Sequence, residues 1–433
     1  MLFIGIDLGT SGCRALAIDT DGQVCAEAQT PLPGPTHQGP AIEQDATIWW
    51  DGLCATLAQL LPMIERSQVK GLAVDGTSGT LLVSDANGHP IGPALMYNDA
   101  RSSAEASIIS QTAPTESAAH GASSALAKLL QLKPGPNARY ALHQADWIVG
   151  KLSGRWGISD ANNCLKLGYD AINRCWPDWL IQLLNAQDIN PQLLPEVYIP
   201  GTSIAPISNN IASRFGLNAN TQIIAGTTDS TAAFIATGAS EEGDAVTSLG
   251  STLVMKVISS KAIFSPQHGV YAQPLGNKWL VGGGSNSGGA VLRRYFDTQQ
   301  MANMTPRLKP EQPTRLDYYP LLRPGERFPV CDAALPAKMT PRPDDEVTFF
   351  QAMLEGMAEI ELKSYQLLER LGAPFPRTLR SAGGGSHNPA WTSIRQKRLR
   401  VPFKAAHHQE AAYGSALLAR QGYRLKAQGK QVS

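Results

Sequence analysis

An excess of charge of either sign is what this chain most clearly lacks. Its 37 Lys and Arg residues are matched by 36 Asp and Glu, a formal net charge of +1. No electrostatic field therefore draws it to nucleic acid or to an anionic membrane, and small-molecule chemistry is the better expectation. Cysteine is sparse: Cys13, Cys25, Cys54, Cys164, Cys175 and Cys331 form no CxxC pair and no Cys/His cluster. That pattern speaks against a zinc site or a disulfide frame and for reduced thiols in a cytoplasmic protein. Long hydrophobic runs are missing too. The apolar start Met1–Ile6 stops at Asp7, has no basic lead and is far shorter than a signal or spanning segment, so it reads as a buried strand. Two common nucleotide devices are absent as well: there is no GxxxxGK[ST] and no GxGxxG. Neither a P-loop nor a dinucleotide fingerprint is available, and an oxidoreductase reading falls with the second.

What is present is enough chain, 433 residues, for two domains of about 200 residues each. Leu2–Ile6 and Ala15–Ile18 are short apolar runs around a Gly/Thr/Ser loop, and Asp19-Thr-Asp-Gly22 makes a second turn before Gln23–Ala26. This spacing predicts a β-meander with a tight first corner. Asp45 can cap a helix whose apolar positions Trp49, Leu53, Leu57 and Leu60 recur at helical spacing, and a buried strand Gly71–Val74 follows. Meander, helix and strand make an α/β layer of mixed strand direction. A new apolar strand at Thr221–Ala225 opens into Gly226-Thr-Thr-Asp-Ser230 and a small-residue helix, which sets the expected boundary between domains 1–224 and 225–433. Beyond it, Leu249-Gly250-Ser251 lies between two strands as Leu8-Gly9-Thr10 does, the sign of a duplicated domain. Thr348–Leu371 reads as a long helix closed by Gly372, Ser381–Asn388 as a glycine-rich loop and Glu410–Gln421 as a final helix.

Asp7-Leu-Gly-Thr-Ser-Gly-Cys-Arg14 is the strongest candidate site. Gly9 and Gly12 allow a tight turn that exposes N–H groups to an anion, and Thr10 and Ser11 offer hydroxyls to phosphate oxygens. Asp7, at the strand end, can orient a hydrated Mg²⁺. The same spacing also suits an ordinary hairpin whose Asp caps the turn. Asp229 likewise has two readings: a helix cap, or a general base that accepts a hydroxyl proton as phosphate transfers. Gly282–Gly289 and Gly383–Asn388 are two further loops of high glycine density, as suits a flat ligand lying on backbone. Four such loops in one chain are costly in entropy and hard to explain by folding alone.

These four loops, in this order and over nearly the whole chain, resemble the FGGY carbohydrate kinases of the actin/Hsp70/hexokinase superfamily. Ile6–Arg14 is similar to that family's first phosphate segment, Ser248–Thr252 to its second, and Ser381–Trp391 to its adenosine segment. Glu43–Trp50 and Tyr97–Arg101 also look like family segments, the latter, with Asp99, on the sugar side. The resemblance implies two ribonuclease-H-like (actin-like ATPase) domains with a central cleft, an N-terminal sugar-binding and a C-terminal nucleotide-binding domain. ATP would touch Gly250, Ser251, Gly288, Gly384, Gly385 and Asn388, with Thr10 at the transferred phosphate, Asp229 as catalytic base and Asp7 on the Mg²⁺ side.

One departure concerns the sugar. Where typical xylulokinases carry Gln-Met-His, this chain has Asp75-Gly-Thr-Ser-Gly-Thr80, similar to the short D-ribulokinase branch; Asp75, Thr77 and Ser78 would then meet sugar hydroxyls, unless Asp75 is only a turn residue. Phosphorylation of D-ribulose at its terminal hydroxyl is the expectation, with D-xylulose or another sugar or polyol as alternatives. A kinase-like conformational ATPase or sensor is the competing class, and no added peptide-binding or polymer-forming region is visible for it. A monomer or homodimer without membrane or nucleic-acid partners is expected.

Overall fold

The computed structural model of the protein describes residues 1–430. They form two compact units, one of residues 1–236 with 410 onward, the other of Thr237–Gln409.

The first unit is built on a six-stranded sheet. The meander Leu2–Leu8, Gly12–Ile18 and Val24–Pro31 is antiparallel, and Val69–Gly76 and Gln222–Thr228 add in parallel beside Leu2–Leu8. The helix Ala46–Leu60 starts where expected, with Asp45 accepting from the Thr47 N–H, and its apolar stripe buries Trp49, Leu53, Leu57 and Leu60. A second, antiparallel sheet joins Ala41–Gln44, Ala94–Leu95, Leu81–Ser84 and Tyr140–His143.

The second unit repeats the scheme. Asp244–Leu249 and Leu253–Ser259 form the hairpin, Lys278–Ser285 the third antiparallel strand, and Thr378–Ala382 pairs in parallel with Asp244–Leu249. Its core is covered by the 25-residue helix Glu346–Arg370, capped by Asp345. The two Leu-Gly-hydroxyl corners therefore occupy the same topological position, as the duplication predicted.

The division of the chain differs from the 224/225 boundary expected from the sequence. The strand Gln222–Thr228 pairs with Val69–Gly76 and so belongs to the first sheet, together with the helix Asp229–Ala236 that follows it. The final helix, Ala411–Ala427, also packs on that first sheet. Its small residues Ala412, Gly414 and Ala416 allow a close approach: a Cβ on Gly5 would overlap the Ala412 carbonyl and the Ala416 nitrogen. Only glycine at position 5 leaves room for the helix.

Candidate active site

Three neighbouring parallel strands bring carboxylates together at their C-terminal ends. Asp7 is the direct register partner of Asp75, Asp75 in turn pairs with Thr227, and Asp229 opens the helix just past that third strand. Asp75 is 0 % exposed. Its Oδ2 accepts from Ser415 Oγ at 2.6 Å, whereas Oδ1 is buried with no hydrogen-bond donor. The Asp7 carboxyl also contacts Asp75, and that contact becomes a hydrogen bond only when one of the two acids carries a proton. Burial pushes both groups above the ordinary carboxylate range. The Asp7 and Asp229 charges push Asp75 further up, while the contact with Asp75 and the Arg14 guanidinium pull Asp7 back down.

An orphaned carboxylate oxygen beside a second and a third acid fits a cation. Among the described residues no group of three or more His, Cys, Asp or Glu is arranged to hold a metal by itself. The donor set therefore suits an ion that keeps most of its waters, as Mg²⁺ does.

The corner after Asp7 is braced from behind. Gly9 N–H donates to Gly12 O at 2.9 Å, Leu32 N–H to Ser11 O at 2.9 Å, and Gln44 Nε2 reaches Thr10 O at 3.4 Å and Pro33 O at 2.7 Å. Trp49 Nε1 locks Gln44 in turn, at 2.7 Å. Among the described residues the Thr10 and Ser11 hydroxyls have no partner, which leaves them for a ligand.

Asp229 is the first helical residue rather than the cap. Its Oδ1 accepts from the adjacent Ser230 N–H at 2.6 Å, and Thr228, one position earlier, makes a 3.0 Å hydroxyl contact with Thr231. The carboxylate stays partly exposed.

The segment Asp75–Thr80 is sorted by burial. Thr77 points inward, bonding Gln144 Oε1 through both its N–H (3.0 Å) and its hydroxyl (2.8 Å) and lying 2.6 Å from Thr80 Oγ1. Ser78 is half-buried, and its hydroxyl has no partner among the described residues. Two lysines hold this turn by its carbonyls: Lys166 Nζ donates to Ser78 O at 3.0 Å, and Lys128 Nζ to Gly79 O at 2.6 Å and Ser123 O at 2.9 Å. Burial lowers the Lys166 pKa and the nearby Asp229 charge opposes that shift.

Three sugar-side expectations are thereby corrected. Thr77 is turned away by its bonds to Gln144 and Thr80, and Asp99 is fully buried, its carboxylate taken up by Ile42 N–H at 2.6 Å and by the Arg101 guanidinium at 2.7 Å. Asp99 holds the 97–101 turn on the neighbouring strand. Asp75, too, is spent on Ser415 and Asp7 rather than open to a sugar. Lys166, Lys128, Gln144 and Ser415 went unnoticed in the sequence because each comes from a separate element with no local motif.

In the second unit a cavity of about 470 Å³ opens at the hairpin corner. Gly250, Ser251, Gly384, Gly385 and Asn388 line it. Gly288 does not: it lies beneath the corner at φ +144°, where a Cβ would meet Ser251 and Thr252 backbone atoms at 2.8–2.9 Å. It makes the corner possible and leaves the lining to Gly289. Asn388 caps the helix Pro389–Leu399 by accepting from Trp391 N–H at 2.9 Å, and its Nδ2 donates to Thr305 Oγ1 at 3.1 Å. Met301, Phe350, Leu354 and Trp391 supply an apolar wall for a flat ring. In the sequence they carry only the periodicity of core residues. No helix among the described residues is long and apolar enough to cross a membrane.

Among solved structures, the chain is similar to a xyloylose kinase from Brucella ovis, with a TM-score of 0.86 at 22% identity over 98% of this chain and 91% of that one. It is also similar to a gluconate kinase from Lactobacillus acidophilus, with a TM-score of 0.84 at 18% identity over 98% and 89%. These likenesses establish the fold as the two-domain actin-like ATPase type. A curated relative, the xylulose kinase of Staphylococcus xylosus, is 24% identical over 451 residues, 97% of this chain and 90% of the relative. The profile described as FGGY family of carbohydrate kinases, N-terminal domain, matches residues 2–236, and the corresponding C-terminal domain profile matches 245–422. The chain belongs to the FGGY family of carbohydrate kinases and is an ATP-dependent sugar phosphotransferase.

Proposed function

We propose that the enzyme phosphorylates a ketopentose, D-ribulose, at its terminal hydroxyl. The observation that carries this reading is the turn Asp75–Thr80, where Ser78 alone keeps a hydroxyl free for a ligand and Lys166 ties that turn into the neighbourhood of Asp229. A short hydroxyl donor there suits a chain of sugar hydroxyls, in place of the Met and His of the xylulokinase segment.

Asp229 accepts the proton of the attacking hydroxyl, a task that chiefly orients the nucleophile because the transition state is loose. Thr10 and Ser11 meet phosphate oxygens at the braced corner, and the cavity beside Gly250 and Gly384 takes the adenosine of ATP. Asp7, backed by Asp75, would hold a hydrated Mg²⁺, whose charge supplies neutralisation of the phosphate oxygens. We further infer a cytoplasmic enzyme, monomeric or homodimeric, in keeping with six cysteines that form no disulfide.

The names of the relatives favour D-xylulose as the second reading. A coupled ADP-release assay over a panel of ketoses and polyols decides between them. D-ribulose should rank first in kcat/KM; a rank below D-xylulose or glycerol removes it as the substrate.

A further inference from the structure

A second and larger cavity, of about 610 Å³, opens elsewhere in the second unit. None of the described residues lines both it and the 470 Å³ cavity, although the helices Glu346–Arg370 and Pro389–Leu399 wall both. Its third wall is the segment 309–318, which carries no helix or strand and lies over the first of those helices as a strap. The strap is pinned at both ends. Gln351, 4 % exposed, accepts from the Lys309 N–H at 2.7 Å and donates through Nε2 to Lys309 O at 3.0 Å and Gln312 O at 2.9 Å. Glu355, one turn further along the helix, accepts from the Thr314 hydroxyl at 2.6 Å. At the far end the Tyr318 carbonyl comes so close that a Cβ on Gly356 would meet it at 2.7 Å. Between these anchors the chain turns at Arg315, whose φ of +61° is left-handed. Fixed ends hold the space beneath the strap open, as in a pre-formed ligand pocket.

The charges of the lining sort by partner. Glu311 pairs with Lys397, Glu359 with Arg398 and Asp317 with Lys338, while the Glu355 carboxylate is taken up by Thr314 and by Gln351 Nε2 at 2.9 Å. Among the described residues Arg315 makes no ion pair. Its guanidinium keeps a planar fork suited to bidentate contact with an oxyanion. Lys397 is the second cation at hand. Its partner Glu311 is 81 % exposed, and a pair so open to water holds weakly, so Lys397 exchanges it readily for a better one. Leu316 and Ile394 give the same cavity an apolar face. We propose that this cavity is a second ligand site of the protein and takes a small organic phosphate, with Arg315 and Lys397 on the phosphate and Leu316 and Ile394 against the carbon skeleton. A phosphate monoester carries about −1.5 to −2 charges at pH 7, which two cations match; a monocarboxylate would leave one of them unused.

Isothermal titration calorimetry of the full-length protein tests it, with glucose 6-phosphate and 3-phosphoglycerate as probes and glucose and glycerate as their counterparts without phosphate. At least one phosphorylated probe should bind wild type with a Kd of about 1 mM or below, and its counterpart roughly tenfold more weakly or worse. Arg315→Gln should weaken that probe roughly tenfold or more, Lys397→Gln by less, and Arg315→Lys should recover part of the loss. Asp229→Ala should bind the probe as wild type does, because the cavity lies apart from the proposed catalytic base. Sugar phosphorylation by Arg315→Gln, assayed without the probe, should match wild type and so show that the variant is folded. Equal probe affinity in wild type and Arg315→Gln overturns the site, as does the absence of binding by both phosphorylated probes at about 10 mM. Glycerate that binds as tightly as 3-phosphoglycerate overturns the phosphate assignment in favour of a carboxylate. Loss of the probe in Asp229→Ala places it at the sugar site and overturns the second one.

Discussion

Ser415, on the last helix, donates to the buried Oδ2 of Asp75 at 2.6 Å across 340 residues of sequence. That bond ties the end of the chain to the strand that backs Asp7, and among the described residues it is the one hydroxyl donor to Asp75. Replacing Ser415 with Ala leaves both Asp75 oxygens without it, at a cost of about 1–3 kcal/mol. Urea unfolding of Ser415→Ala should show that loss, and Ser415→Thr should recover part of it. Unchanged stability would mean that Asp75 is satisfied by another donor.

Asp229→Ala should leave ATP binding nearly intact and lower kcat for sugar phosphorylation by about 10²–10⁴. The helix should survive, since Thr228 and not Asp229 occupies the cap position. Steady-state kinetics with a thermal melt checks both halves, and retained turnover would remove Asp229 from the role of base.

Asp7→Ala should reduce Mg²⁺-dependent turnover by roughly 10²–10³, because stabilisation of phosphate charge dominates this chemistry. Raising the Mg²⁺ concentration should restore little of it. Full recovery at high Mg²⁺ would show that Asp7 contributes affinity for the ion and nothing to the transfer step.

Lys128 makes a pH prediction. Burial, with help from the Lys166 charge and against that of Asp99, lowers its pKa to about 7. A folded-state pKa below the ordinary lysine value means that the unfolded chain binds the extra proton, so stability attributable to this group rises with pH between about 7 and the ordinary lysine value of 10.5. The neutral amine still has two N–H donors for its two carbonyl partners, Gly79 and Ser123. Denaturation at pH 7 and pH 9 should show a smaller gain for Lys128→Met than for wild type. Equal gains would place an ordinary, water-exposed ammonium at this position.

Much of the fold was legible in the sequence because its signals are local. The meander, the Asp45 cap, the long helix after Asp345 and the two Leu-Gly-hydroxyl corners each follow from periodicity and turn chemistry over a few residues. The glycine loops that line the second unit's cavity were legible for the same reason, since a missing side chain is visible wherever it occurs. Thr77 and Asp99 were misjudged because a hydroxyl or carboxylate in a loop looks the same whether it faces a ligand or a buried partner. Gln144 and Arg101, which decide the matter, are set by packing.

The sequence by itself determined the class of protein through the resemblance of its four glycine-rich segments, in their order, to those of the FGGY carbohydrate kinases, while balanced charge and the missing P-loop only narrowed the choice. The tertiary structure alone decided how the chain divides and which groups remain available. Strand pairing places Gln222–Thr228 and the final helix with the first unit, and the space left by Gly5 lets Ser415 reach Asp75. Burial then spends Asp75, Thr77 and Asp99 on interior partners and leaves Ser78, Thr10 and Ser11 facing outward. The physical reason is that turn and strand preferences act over a few residues. The burial and pairing of a polar atom depend on chain segments far away in sequence.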